Sequence, residues 1–173
     1  MSQQPSKSTD SVQSQVELLV AEAKKHNGAG DEAPALACYQ QAATLMPGAP
    51  WLQHRTAEIA RKLKQHDMAA VHYRRAAAAF IAAGFPKRAV APLRAAWQSS
   101  LVGLPAQSSA FIAVTLELAQ VQRDLGFGPE ATLSISNADQ ALLSSGSAER
   151  VPAAAESEAP ASGVNSTPMR RLA

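Results

Sequence analysis

One cysteine, Cys38, in a chain of 173 residues rules out an internal disulfide. Aromatic residues are scarce, at 5%, so no large aromatic core is available. No apolar run approaches the about 20 residues a helix needs to cross the hydrocarbon of a bilayer. The stretch from Met1 to Asp10 is polar and lacks the apolar centre of a signal peptide. These absences predict a cytoplasmic protein without membrane insertion. The motifs of common chemistries are missing too. The only histidines are His26, His54, His66 and His72, none of them in an HExxH, and a single thiol makes no metal cluster. There is no GxSxG and no glycine-rich loop following a strand. The carboxylates are scattered. No cofactor or metal is expected, and nothing in the sequence motivates an enzyme.

What is present is alanine and helical periodicity. Apolar residues make up 46% of the chain, and no segment shows the alternation of a β-strand. Residues 1–10 and 146–173 are rich in small and polar residues, too poor in bulky apolar side chains to offset the entropy of ordering, and are expected to be disordered. Residues 11–145 read as about seven helices. The first spans about Ser11 to His26 and is broken by Asn27-Gly28-Ala29-Gly30. The second starts near Asp31, and Pro34 is tolerated in its first turn. The third runs from about Pro50 to Leu63 and the fourth from about Asp67 to Ala83. Pro86 opens a fifth helix, where Pro92 predicts a kink or a late start. Residues 101–105 read as a loop. The sixth helix carries Phe111, Val114, Leu118, Val121 and Leu125 at spacings of three and four, an amphipathic stripe. The seventh starts at Pro129 and puts Ala131, Ile135, Ala138 and Leu142 on one face.

One spacing ties these helices together. Ala35, Tyr39 and Ala42 recur 34 residues later as Ala69, Tyr73 and Ala76, a small–aromatic–small helix face at a helix-pair period. Beyond residue 80 that register fails. Gly84-Phe85-Pro86 with Ala89 instead matches Gly126-Phe127-Gly128-Pro129 with Ala131, at a period near 42. Tyr73, Ala77, Phe80, Gly84 and Ala89 also fit a first-helix frame, so the pairing of the fourth and fifth helices is left open.

Leu19, Ala23 and His26, the turn Gly30-Asp31, then Ala35, Tyr39, Ala42 and Pro47 resemble a tetratricopeptide repeat, with His26 in place of the usual aromatic. The second unit resembles it less closely. Ala57, Ala69, Tyr73 and Ala76 match, but Trp51 sits two residues before its expected position, which holds Gln53. The resemblance implies an all-α fold of stacked antiparallel helix pairs in a right-handed superhelix. It also implies a non-catalytic adaptor or scaffold that binds a partner in a groove. A chaperone of a bacterial secretion substrate is the other role it suggests.

Charge points to where binding would occur. Residues 51–97 hold nine Lys/Arg against two Asp/Glu, a net of +7, while residues 1–50 net −2 and 98–173 net −3. The repeat frame puts Trp51, His54, Glu58, Arg61 and Lys62 toward the groove, and Arg74 joins them in the alternative frame. The expected partner-binding set is therefore Trp51, His54, Arg61, Lys62 and Arg74, facing a protein or an acidic peptide. The competing reading is a solvated charged face. The Lys and Asn clamp of chaperone-binding relatives is not reproduced, since Val20, Lys24, His54 and Glu58 occupy its positions. Nucleic acid ranks below peptide, because the whole-chain charge is only +2 and no nucleic-acid motif appears. Self-association through the seventh helix is left open.

Overall fold

The computed structural model describes residues 7–103 and 108–148. Within them lie seven α-helices and no strand: α1 Lys7–Ala29, α2 Glu32–Leu45, α3 Pro50–Lys62, α4 His66–Ala82, α5 Pro86–Gly103, α6 Ser109–Asp124 and α7 Gly128–Ala148. The expected all-α architecture of packed helix pairs is present. Each helix packs chiefly on its neighbours in the chain, and α4 packs extensively on both α3 and α5. Among the described residues no helix is long and apolar enough to cross a membrane.

Four turns share one backbone geometry. Gly30, Gly84 and Gly126 have φ of +83°, +81° and +83°, and Lys64 has φ of +59°. Each of these residues donates its N–H to the carbonyl three residues back, and the next residue donates to the carbonyl five back. This pair of bonds satisfies the last carbonyls of a helix and reverses the chain. The left-handed conformation it needs is cheap for glycine and strained for lysine.

Around every one of these turns the same alanines are buried. Counting from the left-handed residue, the position seven before holds Ala23, Ala57, Ala77 or Ala119. The position five after holds Ala35, Ala69, Ala89 or Ala131, and twelve after holds Ala42, Ala76, Ala96 or Ala138. All twelve are buried. Between the last two, nine after the turn, stand Tyr39, Tyr73, Leu93 and Ile135. The 34-residue and 42-residue periods are thus spacings of one hairpin unit that occurs four times. The pairing of α4 resolves in the same way: it is the second helix of the α3–α4 hairpin and the first of the α4–α5 hairpin.

Several boundaries depart from expectation. α1 already starts at Lys7, inside the stretch expected to be disordered, and runs through Asn27 and Gly28 to Ala29. α7 likewise continues through Gly146 and Ser147 to Ala148, inside the second stretch expected to be disordered; residues 1–6 and 149–173 lie outside the described residues. α1 stops only at Gly30, where the backbone turns left-handed. α5 starts at Pro86 rather than after Pro92. Pro92 stands in its second turn, where it cannot donate to the Arg88 carbonyl and its ring crowds that oxygen, yet the helix runs through it. α5 also continues through Leu101 and Val102 to Gly103, where a loop was expected; Leu104 and Pro105 lie outside the described residues. At Gly103 an added Cβ would stand 2.6 Å from His66 Cβ and 2.4 Å from Asp67 Oδ1. The end of α5 therefore lies against the first turn of α4, and only glycine allows that approach.

Polar side chains join the later helices. The Trp97 indole donates to Thr115 Oγ1 at 3.1 Å, tying α5 to α6, and Ser134 donates to the buried Gln122 Oε1 at 2.9 Å, tying α6 to α7.

The shared turn geometry predicts opposite outcomes for two substitutions. Gly84→Ala has room for its methyl, so its cost is conformational alone, about 1–2 kcal/mol of stability. Lys64→Gly removes the same strain and should stabilise by about 0.5–1 kcal/mol after the entropy glycine adds to the unfolded chain. Urea unfolding of the two variants, read as midpoint shifts at constant slope, checks both.

Candidate functional site

A groove lies between α4 and α6, floored by α5. Its volume is about 900 Å³. From α4 it takes Val71, Arg74, Arg75, Ala77, Ala78 and Ile81; from α5, Pro86 and Leu93; from α6, Leu116, Glu117, Gln120, Val121, Arg123 and Asp124. Val71 is 45% exposed, Ile81 44% and Leu116 54%. Leu93 and Ala77 are buried beneath them. The gathering of these exposed side chains along one groove with a buried apolar floor, rather than their exposure as such, fits an interaction site.

The groove follows from local sequence. α4 has two apolar faces. Ala69, Tyr73 and Ala76 turn into the hairpin core, while Val71, Ala78 and Ile81 lie on a second face that none of the described helices covers. α6 likewise buries Phe111, Val114 and Leu118 and leaves Leu116 outside.

The charges on its rim are largely matched to one another. The Arg74 guanidinium binds Glu117 with two hydrogen bonds, from Nε to Oε2 at 3.0 Å and from Nη2 to Oε1. This fork joins α4 to α6 across the groove, and the hydrogen bond to Glu117 raises the Arg74 pKa further above its ordinary value. Gln120 donates to Asp124 Oδ1 at 2.7 Å and accepts from Arg123 at 3.1 Å.

Of the five residues expected to bind a partner, His54 and Arg61 meet at Tyr73, while Lys62 and Arg74 turn to other helices. Trp51 lies at the start of α3, 48% exposed. His54 stacks edge-on against Tyr73, ring centres 5.3 Å apart, with Glu58 Oε1 3.6 Å from its Nδ1. Arg61 reaches the same Tyr73. Burial pushes the Tyr73 phenol up and the Arg61 charge opposes it. Lys62 turns away to Glu32 on α2 at 3.3 Å, and Arg74 turns to α6. Within the basic block Arg55, Lys62 and Arg74 pair with acids, Arg61 reaches the Tyr73 phenol and Arg88 lies over the Phe85 ring. Of the expected set only Arg74 lines the groove. Val71, Ile81 and Leu116 were missed. Their signal was the second apolar face on α4 and α6, which a search for one stripe per helix passes over.

Behind the groove sits a buried polar pair. Gln53 donates from Nε2 to the Ala43 carbonyl at 3.3 Å, which leaves its Oε1 as an acceptor. His72 Nδ1 is 2.8 Å from that oxygen and therefore carries the proton. Burial first, and then the Arg75 charge, holds the His72 pKa below its ordinary value of 6.5. Burial also pushes the Cys38 thiol up, with a smaller contribution from Glu22, as fits a packed thiol rather than a nucleophile. Among the described residues no three His, Cys, Asp or Glu side chains gather as a metal site would require.

No family model and no curated protein matches this chain.

The His72 pair predicts a pH dependence. A histidine whose folded pKa is depressed stabilises the fold fully above its unfolded value and loses that contribution as pH falls toward the folded value. Wild type should therefore exceed His72→Gln in melting temperature at neutral pH, and the gap should narrow as pH drops below 6.5. Thermal melts of both proteins across that range measure it.

Proposed function

We propose that this protein is a non-catalytic adaptor that holds a partner protein in the groove between α4 and α6. The observation that carries this reading is the row of exposed apolar side chains, Val71, Ile81 and Leu116, over a floor of α5. Removing these from water rewards an occupant at about 25 cal/mol for each Å² buried. Among the described residues nothing takes that place. The helix-hairpin unit, repeated four times, supports a relation to tetratricopeptide-like repeat proteins, whose stacked pairs form such grooves.

The charge arrangement supports a protein partner over nucleic acid. Phosphate binding needs free cations in a continuous stripe. Here Arg55 pairs with Glu58, Lys62 with Glu32 and Arg74 with Glu117. A cytoplasmic location accords with the sequence and is part of the same reading.

Leu116→Asp tests it, because the side chain is exposed and the substitution should leave the fold intact. Tagged wild type and variant are used to capture partners from nuclease-treated lysate of the native cells. A stoichiometric protein held by wild type and lost by Leu116→Asp, with helical circular dichroism unchanged, is the expected result. Capture that is the same for both proteins, or that disappears with nuclease, would sink the groove as the binding site.

A further inference from the structure

We infer that the occupant of the groove is an amphipathic helix of about three turns carrying an acidic residue opposite Arg75. This rests on the groove reading above and deepens it. Three observations lead to it.

The first concerns backbone. Both walls and the floor are helices, so their N–H and C=O groups are bonded within α4, α5 and α6 apart from the ends and the Arg88 carbonyl that Pro92 cannot serve. The polar side chains on the rim are occupied as well, Arg74 by Glu117 and Gln120 by Asp124 and Arg123. An extended peptide laid here would meet no sheet edge and few free partners for its own backbone, at a cost for each group left unpaired. A helix satisfies its backbone internally and offers only an apolar face.

The second is length. Val71 and Ile81 are ten residues apart on α4, a rise of about 15 Å, which matches about three turns of a partner helix. Apolar anchors at i, i+3 or i+4, and i+7 fit such a wall.

The third is charge. Among the groove's described side chains Arg75 is exposed and is the cation with no hydrogen bond or ion pair. It stands one residue beyond the Arg74 fork. A carboxylate on the occupant completes it, and a lysine there is repelled.

The test is selection of a random-sequence peptide display library on the full-length chain, with each enriched clone then assayed against Leu116→Asp. The expected survivors share apolar residues at helical spacing with an Asp or Glu on one flank. A synthetic survivor should bind Arg75→Glu on the order of tenfold more weakly, and replacing its acid by Lys should restore binding to that variant. Circular dichroism checks that both variants fold. Groove-dependent survivors that are proline-rich and extended, that carry no acid, or that ignore Arg75→Glu overturn this inference and leave the groove reading standing. Survivors that bind Leu116→Asp equally, or no enrichment at all, overturn both.

Discussion

Close approach of helix backbones is the constraint on which this structure depends. At each left-handed turn two helices come together over buried alanines placed seven before, five after and twelve after the turning residue. Burying one methyl contributes only about 0.8 kcal/mol, so no single alanine holds a hairpin. Their value is that they are small. A Cβ and nothing more lets two helices meet with many dispersion contacts, and a longer side chain at any of these positions would force them apart. The large residue between the second and third alanine, Tyr39, Tyr73, Leu93 or Ile135, then fills the space beside the contact.

The same constraint explains why α4 is central. It is closed by equivalent turns at both ends, Lys64 before it and Gly84 after it, and packs on α3 and α5 alike. Its buried faces are taken up by two hairpins, which leaves Val71, Ala78 and Ile81 on what remains. α6 lies beside it in the same direction, and the Arg74–Glu117 fork links the two across α5. The groove is thus a consequence of hairpin stacking: two first-of-pair helices stand side by side over the helix that connects them.

Polar groups are placed so that this packing stays unique. The Gln53–His72 pair, the Trp97–Thr115 bond and the Ser134–Gln122 bond each join different helices, and each would be left unsatisfied if the helices slid by a residue. Part of the basic block is used in a similar way. Arg55, Lys62 and Arg74 each neutralise an acid, and Arg61 lies on the Tyr73 phenol. Such exposed pairs contribute little to stability singly, but around the groove they leave Arg75 as the cation without a partner among the described residues.

The sequence by itself determined that the chain is helical, where most helices begin and end, and which alanines and aromatics face inward. These are local matters: periodicity, proline at a first turn, and glycine where φ must be positive. Even the four-fold unit was present in the spacing of Ala23, Gly30 and Ala35. It was obscured at the second unit because lysine holds the turn at position 64, which no composition rule flags. The helical course of Leu101 to Gly103 was not legible, since it depends on contact with His66 and Asp67 far back in the chain. The site was legible only in part. Arg74 was expected to face a partner and does line the groove, yet Lys62 and Arg61 point elsewhere, because a charged side chain goes to whichever opposite charge the fold brings within reach. Only the tertiary structure decided which apolar faces stay uncovered. A stripe such as Val71 and Ile81 reads as core in sequence, and whether it is core or groove depends on whether another helix arrives to cover it.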